Sequence, residues 1–427
     1  MREMIKSNVS ARSVIVLAGA VLALGGLCMA ADWPCWRGPA GTGYVPAGAA
    51  VPAKLPAELP VLWQIRIGSS LASPVVSAGK LVYLDHQKGK EVVHAIACAD
   101  GKELWSAQLD DVHKDFPSPP GPRCTPIIDG DRVYAQSCRS ELQCLGLADG
   151  KLRWRVNYVK DFGALYFGEK GPATGASRHG YSGSGVIDGG RLIVAAGGVK
   201  GAAVVCMDKL TGKVIWQSGS DVPGYSGPVV ATIAGVRQVV SFTAEAVIGL
   251  DAADGKALWR VPVKTALGRH VTTPVVFEDL VVVSSHQAGL IAIRVTKADD
   301  GLKAELAWAS SDLAINFSSP VAVGGYLYGL GPSKKLFCAD IRTGKPAWVK
   351  DEFYSGGKGF VSFTVMGPNI LVLTEDGKLT LIAADNGKLT TISAAKACGT
   401  NWCTPAYADG KLYLLDDKQL LCLNLMP

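Results

Sequence analysis

One short segment recurs through this sequence. "ADGKELW" ends at Trp105, "ADGKLRW" at Trp154, "LTGKVIW" at Trp216 and "ADGKALW" at Trp259. "GLKAELAW" follows at Trp308 and "RTGKPAW" at Trp348. A seventh copy, "DNGKLTTIS" from Asp385 to Ser393, has no Trp. These Trp residues stand 40 to 62 positions apart, a period that with strand-like content points to propeller blades.

Each unit reads alike. A small polar residue and Pro precede an apolar run, as in "ASPVV", "CTPII", "SGPVV", "TTPVV", "SSPVA" and "CTPAY". Pro suits the first residue of a strand, where its missing N–H costs least. A Gly or Asp turn then leads into a β-rich run such as "GKLVYL" or "GYLYGL". A third run carries a small residue, Cys144, Cys206, Cys338 or Cys422, in a similar frame each time. The Gly-Lys turn and the Trp close the unit, and the Trp is expected to end its outer strand. Alternation between Gly-containing turns signals hairpins, so each unit holds four antiparallel strands. The turn Gly supplies a positive φ, and the Trp gives each blade a large apolar surface to pack on its neighbour.

The chain ends favour a closed ring. The last unit has three strands, and the missing fourth stands at the other end as "PVLWQI" around Trp63. The expected fold is therefore all-β, an eight-bladed β-propeller of four-stranded antiparallel blades, closed by the N-terminal strand joining the last blade. It occupies residues 61–427 as a single domain, although 427 residues at 48% apolar would by length alone allow two or three. Residues 31–60, rich in Gly, Ala and Pro, read as an irregular strap.

Residues 1–30 read as a signal peptide. Arg2, Lys6 and Arg12 precede an uncharged stretch of 19 residues ending in small ones. Cleavage fits after Ala30 or Ala31. The stretch is also long enough to stay as a membrane anchor, and Cys28 offers a lipid attachment site despite the bulky Leu27 before it. The net charge of +6 comes without a basic run, which argues against nucleic acid. Membrane association is expected only through an uncleaved signal or a lipid anchor. Eleven cysteines suit an exported chain. Cys138 with Cys144 and Cys398 with Cys403 are candidate pairs, whereas the four cysteines in the repeat read as small buried side chains.

The repeats resemble the pyrroloquinoline-quinone-type repeat family, whose blades each carry "A-x-D-x-x-TGK-x-x-W"; the resemblance covers about residues 60 to 425. "ADWPCWRGPAGTG", Ala31 to Gly43, is similar to the start of exported bacterial members. The resemblance implies a bacterial periplasmic or envelope location and one of two branches. One holds quinone-dependent alcohol and sugar dehydrogenases. The other holds non-catalytic periplasmic propellers of the BamB-like type.

The dehydrogenase branch uses an adjacent cysteine pair, a catalytic Asp and oxygen ligands for calcium. No Cys-Cys occurs here. Asp129/Asp131 and Asp416/Asp417 fall in hairpin turns and read as turn formers. The six histidines show no metal-ligand spacing, and no nucleophile elbow or His-Glu-x-x-His is present. No cofactor is expected; pyrroloquinoline quinone and calcium enter only through the resemblance.

A binding face remains. The loops joining one outer strand to the next inner strand emerge on one side, and those at Leu109–Arg123 and Val159–Gly180 are enlarged. They carry His113, Phe116, Arg123, Phe162, Tyr166, Arg178 and His179, while Arg269, His270, Asn316 and Trp402 hold matching positions further round. Loops on a rigid scaffold commonly carry function, and aromatics with Arg suit recognition. The same side chains also suit plugging the channel or packing between blades. The leading expectation is an exported, non-catalytic scaffold that binds a protein or cell-envelope partner through this face. The alternatives are an oxidoreductase, quinone-dependent or cryptic, at the channel mouth and a small-ligand sensor.

Overall fold

The structure, a computed structural model, describes residues 32–114, 119–166 and 175–426. Alternating strands and tight turns fold into eight separate four-stranded antiparallel sheets. Blades 1 to 7 span residues 75–111, 127–157, 186–218, 229–262, 275–310, 321–350 and 361–396. Blade 8 combines residues 406–424 with Val61–Arg66, which pairs antiparallel to Gln419–Asn424 and closes the ring as the sequence predicts. The apolar core lies between consecutive blades. Leu280, Val282 and Ala292 of blade 5, for example, pack on Leu327, Phe337 and Ala339 of blade 6.

The repeated segment explains how blades hold together. The Trp does not end the outer strand, as the sequence suggests; it sits near the start, just after a one-residue bulge. In blade 3, Cys206 faces Trp216 while Met207 faces Val214. The same slip recurs in blade 2 at Cys144 and in blade 6 at Cys338. A bulge re-aims the side chain beside it. The indole thereby reaches the next blade: Trp105 Nε1 donates to Leu147 O at 3.0 Å, Trp154 to Lys209 O at 3.1 Å and Trp216 to Ala252 O at 3.2 Å. The receiving turn carries Gly at positive φ, and a Cβ on Gly255 would stand 2.5 Å from Trp216. So this Gly serves both the turn and the close approach of the ring. Cys144, Cys206, Cys338 and Cys422 lie opposite the Trp of their blade, buried and small. The ten described cysteines, the candidate pairs included, are free thiols.

Two blades vary the device. Trp259 folds back over Gly249 of its own blade, where a Cβ would meet the ring at 2.1 Å, and donates to Gln238 Oε1. In blade 7 the Trp position is Ser393, and the strap covers it: Leu55 is buried and its N–H donates to Ser393 Oγ at 2.8 Å.

Residues 32–60 cross the face opposite the inter-blade loops. Trp33 bridges Val76 of blade 1, and Ile128 N of blade 2 donates to Pro34 O at 2.8 Å. Tyr44 bridges Val365 of blade 7, and Tyr407 Oη of blade 8 donates to Ala50 O at 2.6 Å. Among the described residues no helix is long and apolar enough to cross a membrane.

Candidate binding site at the channel mouth

The strap turns the central channel into a cup. Trp36 Nε1 donates to Thr273 Oγ1 at 3.1 Å, and Arg37 Nη2 donates to Pro320 O at 2.6 Å and Thr42 O at 3.1 Å. Arg37 is 4% exposed and holds φ at 61°, a conformation uncommon outside glycine. Burial pulls its guanidinium down to about 10. Above this floor lies a cavity of about 300 Å3, at the small end of the range for small-molecule sites.

The walls are built from one repeat position. Each inner strand starts with the small-residue-Pro step or its equivalent, and the residue three places before the Pro faces the cavity in every blade. Going round, these are Leu71, Arg123, Ser182 and Tyr225, then Val271, Phe317, Phe360 and Trp402. Two of the eight blades lack the Pro: blade 3 has Gly185 and blade 7 has Phe363. One place before the Pro, or its equivalent, stands a belt of small hydroxyls, broken by Gly227 in blade 4. Its members bond across blades: Ser73 N donates to Thr125 Oγ1 at 3.2 Å, Thr273 N to Ser319 Oγ at 3.0 Å and Thr404 N to Ser73 Oγ at 2.9 Å. The belt fixes the height at which the variable residues stand.

The cup has two unlike sides. On blades 6 to 8, Phe317 stacks on Phe360 at 4.6 Å, and Phe360 stacks on Trp402 at 5.1 Å. Trp402 Nε1 donates to Glu375 Oε1 at 2.7 Å, and the other carboxylate oxygen of Glu375 takes the N–H groups of Lys358, Gly359 and Phe360. On blades 2 to 5 the lining includes Arg123, His179, Tyr225 and Arg269. Arg123 Nη1 donates to His179 O at 2.8 Å. Among the described residues no Asp or Glu lines the cavity. Asn316 Oδ1, Ser318 Oγ and Ser362 Oγ, all on the lining, have no hydrogen-bond partner among the described residues.

The structure brings five of the sequence candidates to this cup: Arg123, His179, Arg269, Asn316 and Trp402. Others lie elsewhere. His113 is buried within the first enlarged loop, its Nδ1 bonded to Tyr166 Oη at 2.6 Å and its N–H donating to Glu91 Oε1 at 3.4 Å. Phe162 ends the short helix Tyr158–Phe162 and packs toward Tyr158. Arg178 sits on the helix Ala176–His179 with its Nε 3.1 Å from His179 Nε2. His270 is fully buried, stacked on Phe242 at 4.2 Å, and burial lowers its pKa. Phe116 lies outside the described residues. Sequence reasoning missed Trp36, Arg37, Tyr225, Phe317 and Phe360. The count of three from the Pro would have found Tyr225 and Phe317; no local signal marks the other three.

A calcium-dependent quinone site does not match this lining. Calcium takes six to eight oxygen ligands, commonly carboxylates, and among the described residues the cup offers arginines and no carboxylate. Among the described residues no group of three or more His, Cys, Asp and Glu is placed to hold a metal ion. Asp416 is engaged in its turn, where its Oδ1 accepts from Lys418 N and Gln419 N at 2.9 Å each, and Asp129 pairs with Lys209 at 2.5 Å.

Comparison with known proteins places the chain. None of the curated proteins compared with it matches. Among solved structures, BamB from Moraxella catarrhalis is similar at TM-score 0.59 and 17% identity, over 86% of this chain and 98% of that one. Quinohemoprotein alcohol dehydrogenase from Comamonas testosteroni is similar at TM-score 0.60 and 14% identity, over 92% of this chain and 80% of that one. At these identities both likenesses show the propeller fold alone. A family model described as outer membrane protein assembly factor BamB matches residues 60–164 and 89–350. With its pyrroloquinoline-quinone-type repeats, the chain therefore belongs to the β-propeller family that this BamB model describes.

Proposed function

We propose that this chain is an exported, non-catalytic propeller of the bacterial envelope that holds a protein or envelope component on its loop-rich face, with the cup at the centre of that face. One observation carries the reading. The position three before the Pro repeats eight times around one cavity and holds a mixed set of basic, aromatic, aliphatic and hydroxyl side chains. A position that only held the ring together would repeat its residue, as the Trp does. Family membership supports an exported, periplasmic setting. No cofactor belongs to this reading.

A photo-reactive residue placed at Arg178, next to the lining residue His179, and at Leu104, on an exposed outer strand, tests it in the native envelope. Capture of a discrete partner from Arg178 and not from Leu104 is the expected result. Capture from Leu104 alone would overturn the reading. So would stoichiometric bound quinone with dye-linked dehydrogenase activity after export with pyrroloquinoline quinone and calcium; that outcome would establish the oxidoreductase alternative.

A further inference from the structure

We propose that the cup binds an acidic saccharide, a hydroxyl-rich ring carrying a carboxylate, and that this is the chemistry of the envelope component it recognises. The inference deepens the proposed function and rests on it.

Four features of the cup point the same way. The first is charge. Arg37, Arg123 and Arg269 line the cavity, with no carboxylate among the described lining residues. Arg37 is buried and its Nη2 meets two backbone carbonyls rather than a carboxylate, while Arg269 is half-buried at the wall. A buried guanidinium without an anion is costly to keep, and a planar guanidinium matches a carboxylate through paired hydrogen bonds. The second feature is an unmet acceptor. Asn316 Oδ1 requires a donor, which an ionised carboxylate or a halide cannot supply and a sugar hydroxyl can.

The third feature is a pair of hydroxyls, Ser318 and Ser362, each more than nine-tenths buried and without a partner among the described residues. Buried polar groups are ordinarily hydrogen-bonded, and a polyol offers both donors and acceptors to meet them. The fourth is the apolar side. Both faces of Phe360 are occupied, by Phe317 on one and Trp402 on the other. The stack thus forms a closed apolar wall and leaves no slot between its rings for a flat aromatic guest. It gives this side of the cup an apolar surface for the C–H groups of a saturated ring. The cavity of about 300 Å3 holds a single sugar or a disaccharide and excludes a folded segment.

The test is calorimetric titration of the purified full chain with D-glucuronate, D-glucose, acetate and inorganic phosphate. The expected result is one-to-one binding of glucuronate, with glucose and acetate each weaker by roughly tenfold to a hundredfold, the value of one charge-assisted hydrogen bond or more. Arg269→Gln should weaken glucuronate to the level of glucose and leave thermal unfolding in place. Asn316→Asp should weaken it as well, by setting a negative charge beside the ligand. Equal binding of glucuronate and glucose would overturn the proposal. So would the absence of glucuronate binding, or phosphate binding as tightly as glucuronate. If glucuronate does not bind while the crosslink from Arg178 persists, the saccharide inference falls and the scaffold reading stands. If both fail, the scaffold reading falls too.

Discussion

Two positions of the same repeat behave in opposite ways. On the perimeter the repeat carries Trp in blade after blade, and the next blade receives it with a Gly turn and a backbone carbonyl. At the channel the residue three before the Pro ranges over Leu, Arg, Ser, Tyr, Val, Phe and Trp. The strand geometry beneath both positions is the same, so geometry does not force the difference. The perimeter has one task to perform eight times, which is to join a blade to its neighbour. The channel has one task to perform once, with eight contributors. Uniformity therefore marks what holds the ring, and variety marks what the ring is for.

The comparison can be broken most easily at the perimeter. Trp216→Ala removes a buried indole wedged against Gly255 and should cost about 3–5 kcal/mol in urea unfolding. A loss below about 1 kcal/mol would mean that the indole does not join the blades.

A second effect lies at Glu91, which holds the backbone of His113 and Cys138. Burial raises the Glu91 carboxyl to about 7, against the opposing pull of the Cys138 and His113 N–H groups. An acid whose folded pKa exceeds its unfolded value binds its proton more tightly in the fold. Its contribution is full below pH about 4.5 and is lost as pH rises through about 7. Stability of wild type relative to Glu91→Gln should therefore fall by roughly 3 kcal/mol between pH about 4 and about 8. A flat difference across that window would contradict the assignment.

The next contrast compares two blades. Gly249→Ala places a Cβ against the Trp259 ring and should destabilise by about 1–3 kcal/mol. Cys206→Ala, at the equivalent place in blade 3, should cost less, because there the indole reaches away to the next blade. Equal losses would show that Trp259 does not fold back. The smallest effect belongs to the channel. Arg269→Gln should move unfolding by no more than about 0.5 kcal/mol, since its side chain is half-buried at the cavity wall rather than in the core.

The sequence showed the blades because their signals are local. The turn Gly, the Trp and the Pro of the inner strand all lie within a few residues of what they determine, and ring closure follows from matching the two chain ends. The free, buried cysteines of the repeat are explained only by the bulge that sets each opposite a Trp. The cup was half legible. Arg123 and Trp402 stand three before a Pro, and Arg269, Asn316 and His179 stand nearby. Phe360 escaped because blade 7 has no Pro to count from. Trp36 and Arg37 escaped because their partners Thr273 and Pro320 lie 237 and 283 residues away. His113, Tyr166 and His270 looked like surface groups. Glu91 holds the His113 backbone inside and Tyr166 follows through its ring, while Phe242 does the same for His270.

Hydrogen exchange of the exported protein, with and without an envelope fraction, tests the contrast most directly. The account predicts new protection in peptides covering residues 178–184, 266–273, 313–319 and 398–404 around the cup, and none in the outer turns at 99–105 and 148–154. Protection confined to those outer turns would contradict it and would make the repeated perimeter the recognition surface.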